Sequence, residues 1–65
     1  MDAVIQIEIA LNYLNDLFAK SIAFKDDEAM NKLNALRHQI YYGDFEYHAV
    51  IKELSEISEQ LKKYA

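Results

Sequence analysis

The chain contains one glycine and no proline in 65 residues. These two residues mark most turns and interrupt helices, so a chain that nearly lacks them has few turns. We therefore expect long helices joined by short connections. Cysteine is also absent, which excludes disulfides and thiolate-bound metals as supports for a small fold. Packing within the chain, or between chains, must stabilise it instead.

The first segment repeats apolar residues at alternating spacings of three and four, which is typical of an amphipathic helix. Asp2 is placed to cap the first turn of this helix. On a helical wheel, one arc of apolar residues is wide enough to form the core face. This predicted core arc consists of Val4, Ile7, Ala10, Leu11, Leu14, Leu17, Phe18 and Ile22.

A second helix is predicted to begin where the chain carries three successive negative charges, at Asp26, Asp27 and Glu28. Negative charge is favoured at a helix N-terminus by the helix dipole and the free N–H groups. Glu28 and Lys32 have the spacing of a stabilising pair on one helix face. The predicted buried stripe of this helix is Ala29, Leu33, Leu36 and Ile40.

Gly43 is expected to end the second helix in the left-handed conformation, and Asp44 to cap the third. The third helix is predicted from Phe45 to about Lys63. Its apolar residues follow the same three-four spacing, with acidic side chains opposite them. The predicted stripe is Tyr47, Val50, Leu54, Ile57, Leu61 and Tyr64.

Three helices with short connections predict an all-α, up-down-up three-helix bundle that forms a single domain over residues 1–65. An alternative is a dimer in which helical hairpins from two chains build one larger bundle. A chain of this length buries only about 60% of the surface that its unfolded form exposes. Association with another chain would add to that limited burial.

Three apolar side chains of the first helix lie outside its predicted core arc: Ile5, Ile9 and Tyr13. We call these three residues the ridge. An exposed apolar ridge is typical of a protein-binding or self-association surface, whereas the simpler interpretation is that it forms part of the core. The sequence leaves both interpretations open.

The segment "HQIYYGDFEYHAV", residues 38–50, predicts a second contact surface at the corner between the second and third helices. We call Tyr41, Tyr42 and Phe45 the aromatic corner. Large rings suit protein interfaces, and a tyrosine can bury its ring while its hydroxyl stays in water. His38 and His48 flank the glycine, but both fall outside the predicted stripes and no third metal ligand is evident. No metal or cofactor is therefore predicted.

Composition argues against several functional classes. The net charge of −4 and the scattered cations disfavour nucleic-acid binding. One glycine cannot build a phosphate-binding loop, and no serine is in register with a histidine, so we expect no enzyme. The absence of a signal-like segment and of a long apolar run predicts a cytoplasmic protein without a membrane span.

The sequence therefore predicts a small acidic protein that acts by binding another protein, as a regulator, inhibitor or chaperone-like adaptor. It would work as a homodimer or in a heteromeric helical assembly. One alternative is a phosphotransfer or phosphatase accessory that uses a histidine. Another is a nucleic-acid-binding module that turns at Gly43.

Overall fold

The computed structural model describes residues 2–64 and shows an all-α fold. Helix α1 spans Ala3–Phe24, α2 spans Asp27–Tyr42 and α3 spans Tyr47–Leu61, and a short 3-10 helix follows at Lys62–Tyr64. The predicted three-helix bundle is confirmed. None of the helices within the described range is both long and apolar enough to cross a membrane.

Helix α1 begins as the sequence predicts, because the Asp2 carboxylate accepts a hydrogen bond from the Val4 N–H at 2.9 Å. It ends in a left-handed residue, but that residue is Lys25, with φ of 58°. The Lys25 and Asp26 N–H groups donate to carbonyls of the last turn, at Ile22 and Ser21 respectively. These two bonds satisfy carbonyls that the end of the helix would leave free.

Helix α2 begins at the predicted acidic segment. The Asp26 carboxylate accepts from the Ala29 N–H at 3.1 Å, and Lys32 pairs with Glu28 at 3.1 Å. The four residues of its predicted stripe are all buried. The prediction for Gly43 is wrong, because its φ of −113° and ψ of −165° are extended rather than left-handed.

Helix α3 begins two residues later than predicted. Glu46, not Asp44, caps it, and its carboxylate accepts from the N–H groups of His48 and Ala49. The central stripe is buried as predicted, at Val50, Leu54, Ile57 and Leu61.

The C-terminal residue of the predicted third stripe, Tyr64, lies outside the core. It belongs to the 3-10 helix after α3 and is 38% exposed. Its ring stacks on Phe24 at the end of α1, with 4.8 Å between ring centroids. The tighter winding of the last turn changes the helical phase, so the stripe does not continue to this residue.

Helix α1 is the central element, because it packs extensively against both other helices while α2 and α3 contact each other less. Arg37 of α2 reaches Asn15 of α1, and Tyr64 meets Phe24. Arg37 and Asn15 lie about equally far from the turn between α1 and α2, as expected if these helices are antiparallel. Tyr64 and Phe24 both lie at C-terminal ends, as expected if α1 and α3 are parallel. The chain therefore runs up, down and up.

The core face of α1 differs from the predicted arc. Its buried residues are Ala10, Leu14, Leu17 and Ser21, whereas Val4 and Ile22 are 62% and 55% exposed. The buried face is rotated relative to the predicted arc. Helix α1 packs against both other helices along a line that includes the small residues Ala10 and Ser21. Ser21 is fully buried there, and its hydroxyl donates to the Leu17 carbonyl at 2.9 Å.

Candidate protein-binding surface

The ridge of α1 divides between solvent and core. Ile5 is 48% exposed and Ile9 is 39% exposed, while Tyr13 is partly buried against the core. Residues four apart on a helix are rotated by about 40° relative to each other, so a line of such residues crosses the helix surface obliquely. Ile5 consequently lies nearly opposite the core face, and Tyr13 reaches its edge. The structure thus leaves two of the three predicted side chains available for contact.

The exposed apolar side chains of α1 concentrate towards its N-terminus, where Val4, Ile5 and Ile9 follow one another. Helix α1 has 22 residues and α2 has 16, so α1 is longer by about 9 Å at the usual rise of ~1.5 Å per residue. The first turns of α1 therefore extend beyond the end of α2 and do not pack against it. This difference in length explains why Val4 is exposed although it fits the helical repeat of the predicted core.

The aromatic corner also divides between solvent and core. Tyr41 is 61% exposed and Tyr42 is 80% exposed, the highest value among the large hydrophobic side chains of residues 2–64. Phe45 is partly buried, packs against the core and has its ring 6.4 Å from that of Tyr47. Phe45 therefore closes the end of the core, and the two tyrosines before it remain accessible.

The exposed part of the ridge and the two tyrosines lie at the same end of the bundle. Arg37 of α2 contacts Asn15 of α1, and the two helices run in opposite directions. Tyr41 and Tyr42, one turn beyond Arg37, are thus level with the turn of α1 that precedes Asn15. Ile9 belongs to the adjacent turn. One end of the molecule consequently carries most of the exposed large apolar side chains.

The histidines of the corner are exposed and pack against neighbouring tyrosines. The His38 ring lies 4.9 Å from that of Tyr42, and His48 meets the edge of Tyr47 at 5.5 Å. Among residues 2–64, no cluster of three or more His, Cys, Asp or Glu side chains is arranged to hold a metal ion. In this arrangement the histidines extend the aromatic surface of the corner.

Sequence reasoning missed a polar cluster at the opposite end of the bundle. The Tyr64 hydroxyl donates to Asp26 at 2.8 Å, and the Lys63 ammonium lies 3.9 Å from the same carboxylate. The Asp26 carboxylate is almost fully buried. The cluster connects the beginning of α2 with the C-terminal 3-10 helix, 38 residues later in the chain. A tyrosine so close to the chain terminus gives no sequence signal for such a long-range hydrogen bond.

The hydrogen bonds of this cluster shift the protonation of both groups. The Ala29 N–H, together with the Tyr64 hydroxyl, lowers the pKa of Asp26 below its ordinary value. Its hydrogen bond to Asp26 raises the pKa of Tyr64. The ionised carboxylate and the neutral phenol are therefore the forms that the folded state favours. The cluster therefore holds the 3-10 helix Lys62–Tyr64 against the beginning of α2.

Charge along α1 and its caps is strongly segregated. Residues 2–16 contain three acidic side chains and no basic one, whereas residues 17–25 contain two lysines and no acidic one. Near the ridge, Glu8, Asn12 and Asp16 are exposed. The apolar ridge is consequently bordered by acidic and amide groups, a combination typical of the polar rim around a protein contact.

No family model matches the chain, and neither a curated protein nor a solved structure matches it.

Proposed function

We propose that this chain is a small regulatory or adaptor protein of the cytoplasm that acts by binding another protein, without catalysing a reaction. The surface that would make the contact consists of Ile5 and Ile9 of the ridge together with Tyr41 and Tyr42 of the aromatic corner. The partner is a second copy of the chain or a helical segment of a different protein. Binding would act by covering the partner's surface or by bridging two proteins.

The observation that carries this proposal is the exposure of large apolar side chains at one end of a very small bundle. The whole described chain exposes 4412 Å², and a standard interface covers about 800 Å² on each partner. One contact of ordinary size would therefore occupy nearly a fifth of the surface. Isoleucine and tyrosine side chains that are about half exposed or more contribute apolar area to such a contact.

Supporting geometry comes from the way in which the contact residues are held. Ile5 and Ile9 lie on a continuous helix whose first turn is capped by Asp2. Tyr42 is held against His38 and lies 6.3 Å from Tyr41, ring to ring. Side chains that are already positioned lose less conformational freedom when a partner binds.

A comparative capture experiment tests the proposal. The tagged chain, the Ile5→Ser/Ile9→Ser variant and the Tyr41→Ser/Tyr42→Ser variant are used to capture proteins from a lysate of the source organism, followed by quantitative mass spectrometry. The control is Glu56→Ser, because Glu56 is an exposed residue of a different helix, α3, and belongs to neither part of the proposed surface.

We expect a different protein to be retained by the wild type and by the control and lost from both double variants, or untagged copies of the chain to be lost from the Ile5→Ser/Ile9→Ser variant. Circular dichroism would check that each variant remains helical. Capture that is identical for all four proteins would contradict the proposal.

A further inference from the structure

We propose that the occupant of the ridge is a second copy of this chain, docked antiparallel along the outer face of α1. This inference rests on the proposed function and specifies its partner. It names the helix, the relative direction and the register of the contact.

The outer face of α1 has the spacing of a helix-pairing seam. Six of its residues follow one another at intervals of four, three, four, three and four, which is the repeat that keeps one face towards a partner helix. At about 100° per residue they lie within an arc of roughly 80°, centred nearly opposite the core face. All are exposed; they are Ile5, Ile9, Asn12, Asp16, Ala19 and Ala23.

Size complementarity fixes the direction and register. The N-terminal part of the seam carries two large side chains, and its C-terminal part carries Ala19 and Ala23. Two copies related by a two-fold axis at the height of Leu14 would place Ile5 opposite Ala23 and Ile9 opposite Ala19, twice by symmetry. Large side chains would then fit against small ones, as close packing of helices requires.

Charge favours the same direction. In an antiparallel pair, the acidic part of one α1 would lie beside the basic part of the other. Glu8 and Lys20 would then be at equal height, on opposite flanks of the seam. A parallel pair would bring like charges to equal height along the whole helix. Within the described chain neither Glu8 nor Lys20 forms an ion pair, so both are available to interact with another copy. Antiparallel helix dipoles add to the attraction.

The middle of the seam sets the register. Asn12 of one copy would lie opposite Asp16 of the other, and its amide can donate to that carboxylate. A polar pair inside an otherwise apolar seam favours one register over others, at a cost in stability. Moving the axis towards residue 7 would instead pair the isoleucines with each other, but would bring the Glu8 side chains of both copies close together.

Cysteine cross-linking tests this geometry, because the chain has no cysteine of its own. Ile9→Cys and Ala19→Cys are prepared with tags of different mass, mixed under reducing conditions and then oxidised. We expect a cross-link between the two different variants. Each variant alone should cross-link weakly, because the two-fold axis separates identical positions by about 15 Å along the helix. Cross-links within each variant alone, with none between the variants, would indicate a parallel pair and overturn the inference.

Charge exchange provides a second test with a rescue. Lys20→Glu should weaken self-association at low salt by about threefold, because it places a negative charge at the height of the acidic part of the other copy. Glu8→Lys combined with Lys20→Glu should restore it. A monomeric wild type at several hundred micromolar would overturn the inference. Should capture of a different protein still depend on Ile5 and Ile9, the proposed function would stand without the dimer.

Discussion

Replacing Ile9 and Leu14 by alanine, one at a time, distinguishes a contact surface from a core. Both residues lie on α1, and both substitutions remove three carbon atoms. Leu14 is fully buried, whereas Ile9 is 39% exposed and Ile5 is 48% exposed. The free energy of unfolding should therefore respond very differently at the two kinds of position.

The magnitudes follow from the burial. Three fully buried carbons contribute about 2.4 kcal/mol at ~0.8 kcal/mol each, so a half-exposed isoleucine contributes a little more than 1 kcal/mol. Alanine is the better helix former, which returns a few tenths of a kcal/mol. Ile9→Ala should thus cost about 1 kcal/mol. Leu14→Ala also leaves a cavity, so it should cost about 3 kcal/mol or more.

Urea denaturation followed by circular dichroism at low protein concentration measures both values. The dependence of the unfolding free energy on urea concentration should have the same slope for each variant. Differences between the urea midpoints then report differences in stability alone. Ile5→Ala should behave like Ile9→Ala. A loss at Ile5 or Ile9 equal to that at Leu14 would show that the ridge is core, and would refute the assignment of these residues to a contact surface.

Four further outcomes are expected from the remaining geometry. Tyr64→Phe should lower the melting temperature by removing the hydrogen bond to Asp26, and Tyr64→Ala should lower it further because the stack on Phe24 is lost as well; a thermal scan of each variant measures this. The pKa of Asp26 is lowered by folding, so its contribution to stability is present above its ordinary value of 3.8 and is lost as the pH falls through the folded value. Asp26→Asn should flatten that acid dependence, as measured by urea midpoints across the acid range. Lys25→Gly should raise the free energy of unfolding by about 0.5 to 1 kcal/mol, because glycine adopts the left-handed conformation without strain, whereas an unchanged urea midpoint would contradict this.

The sequence predicted α2 and α3 well because each has a single apolar stripe with polar residues on the opposite side. The four buried residues of α2 and the four central ones of α3 are the predicted ones. Helix α1 is apolar on more than one face, so its hydrophobic pattern fits several rotations. The buried face includes Ala10 and Ser21, which carry little hydrophobic signal. The neighbouring helices therefore determine the rotation of α1.

The turns were predicted less accurately, because several residues could serve as caps. Gly43 was the obvious candidate for the left-handed position, yet Lys25 occupies that conformation and Gly43 is extended. The longer side chain of Glu46 reaches the free N–H groups of α3, whereas Asp44 lies further from the helix start. These choices depend on the path of the chain between packed helices, which local sequence preferences do not determine.

The candidate contact surface could be predicted only in part. The sequence identified Ile5, Ile9, Tyr41 and Tyr42, which the structure leaves exposed. It also included Tyr13 and Phe45, which are partly buried against the core. The difference arises because a helical wheel places Tyr13 relative to its own helix only, while its exposure depends on the neighbouring helix.

Site-specific photo-cross-linking in living cells tests most directly whether the ridge contacts another chain. A photoreactive amino acid is introduced at position 9 in one variant and, as the control, at the exposed position 56 of α3 in another. We expect a discrete cross-linked product from position 9 that is absent from position 56, whether the captured chain is a second copy or a different protein. No product from position 9, or identical products from both positions, would contradict the account.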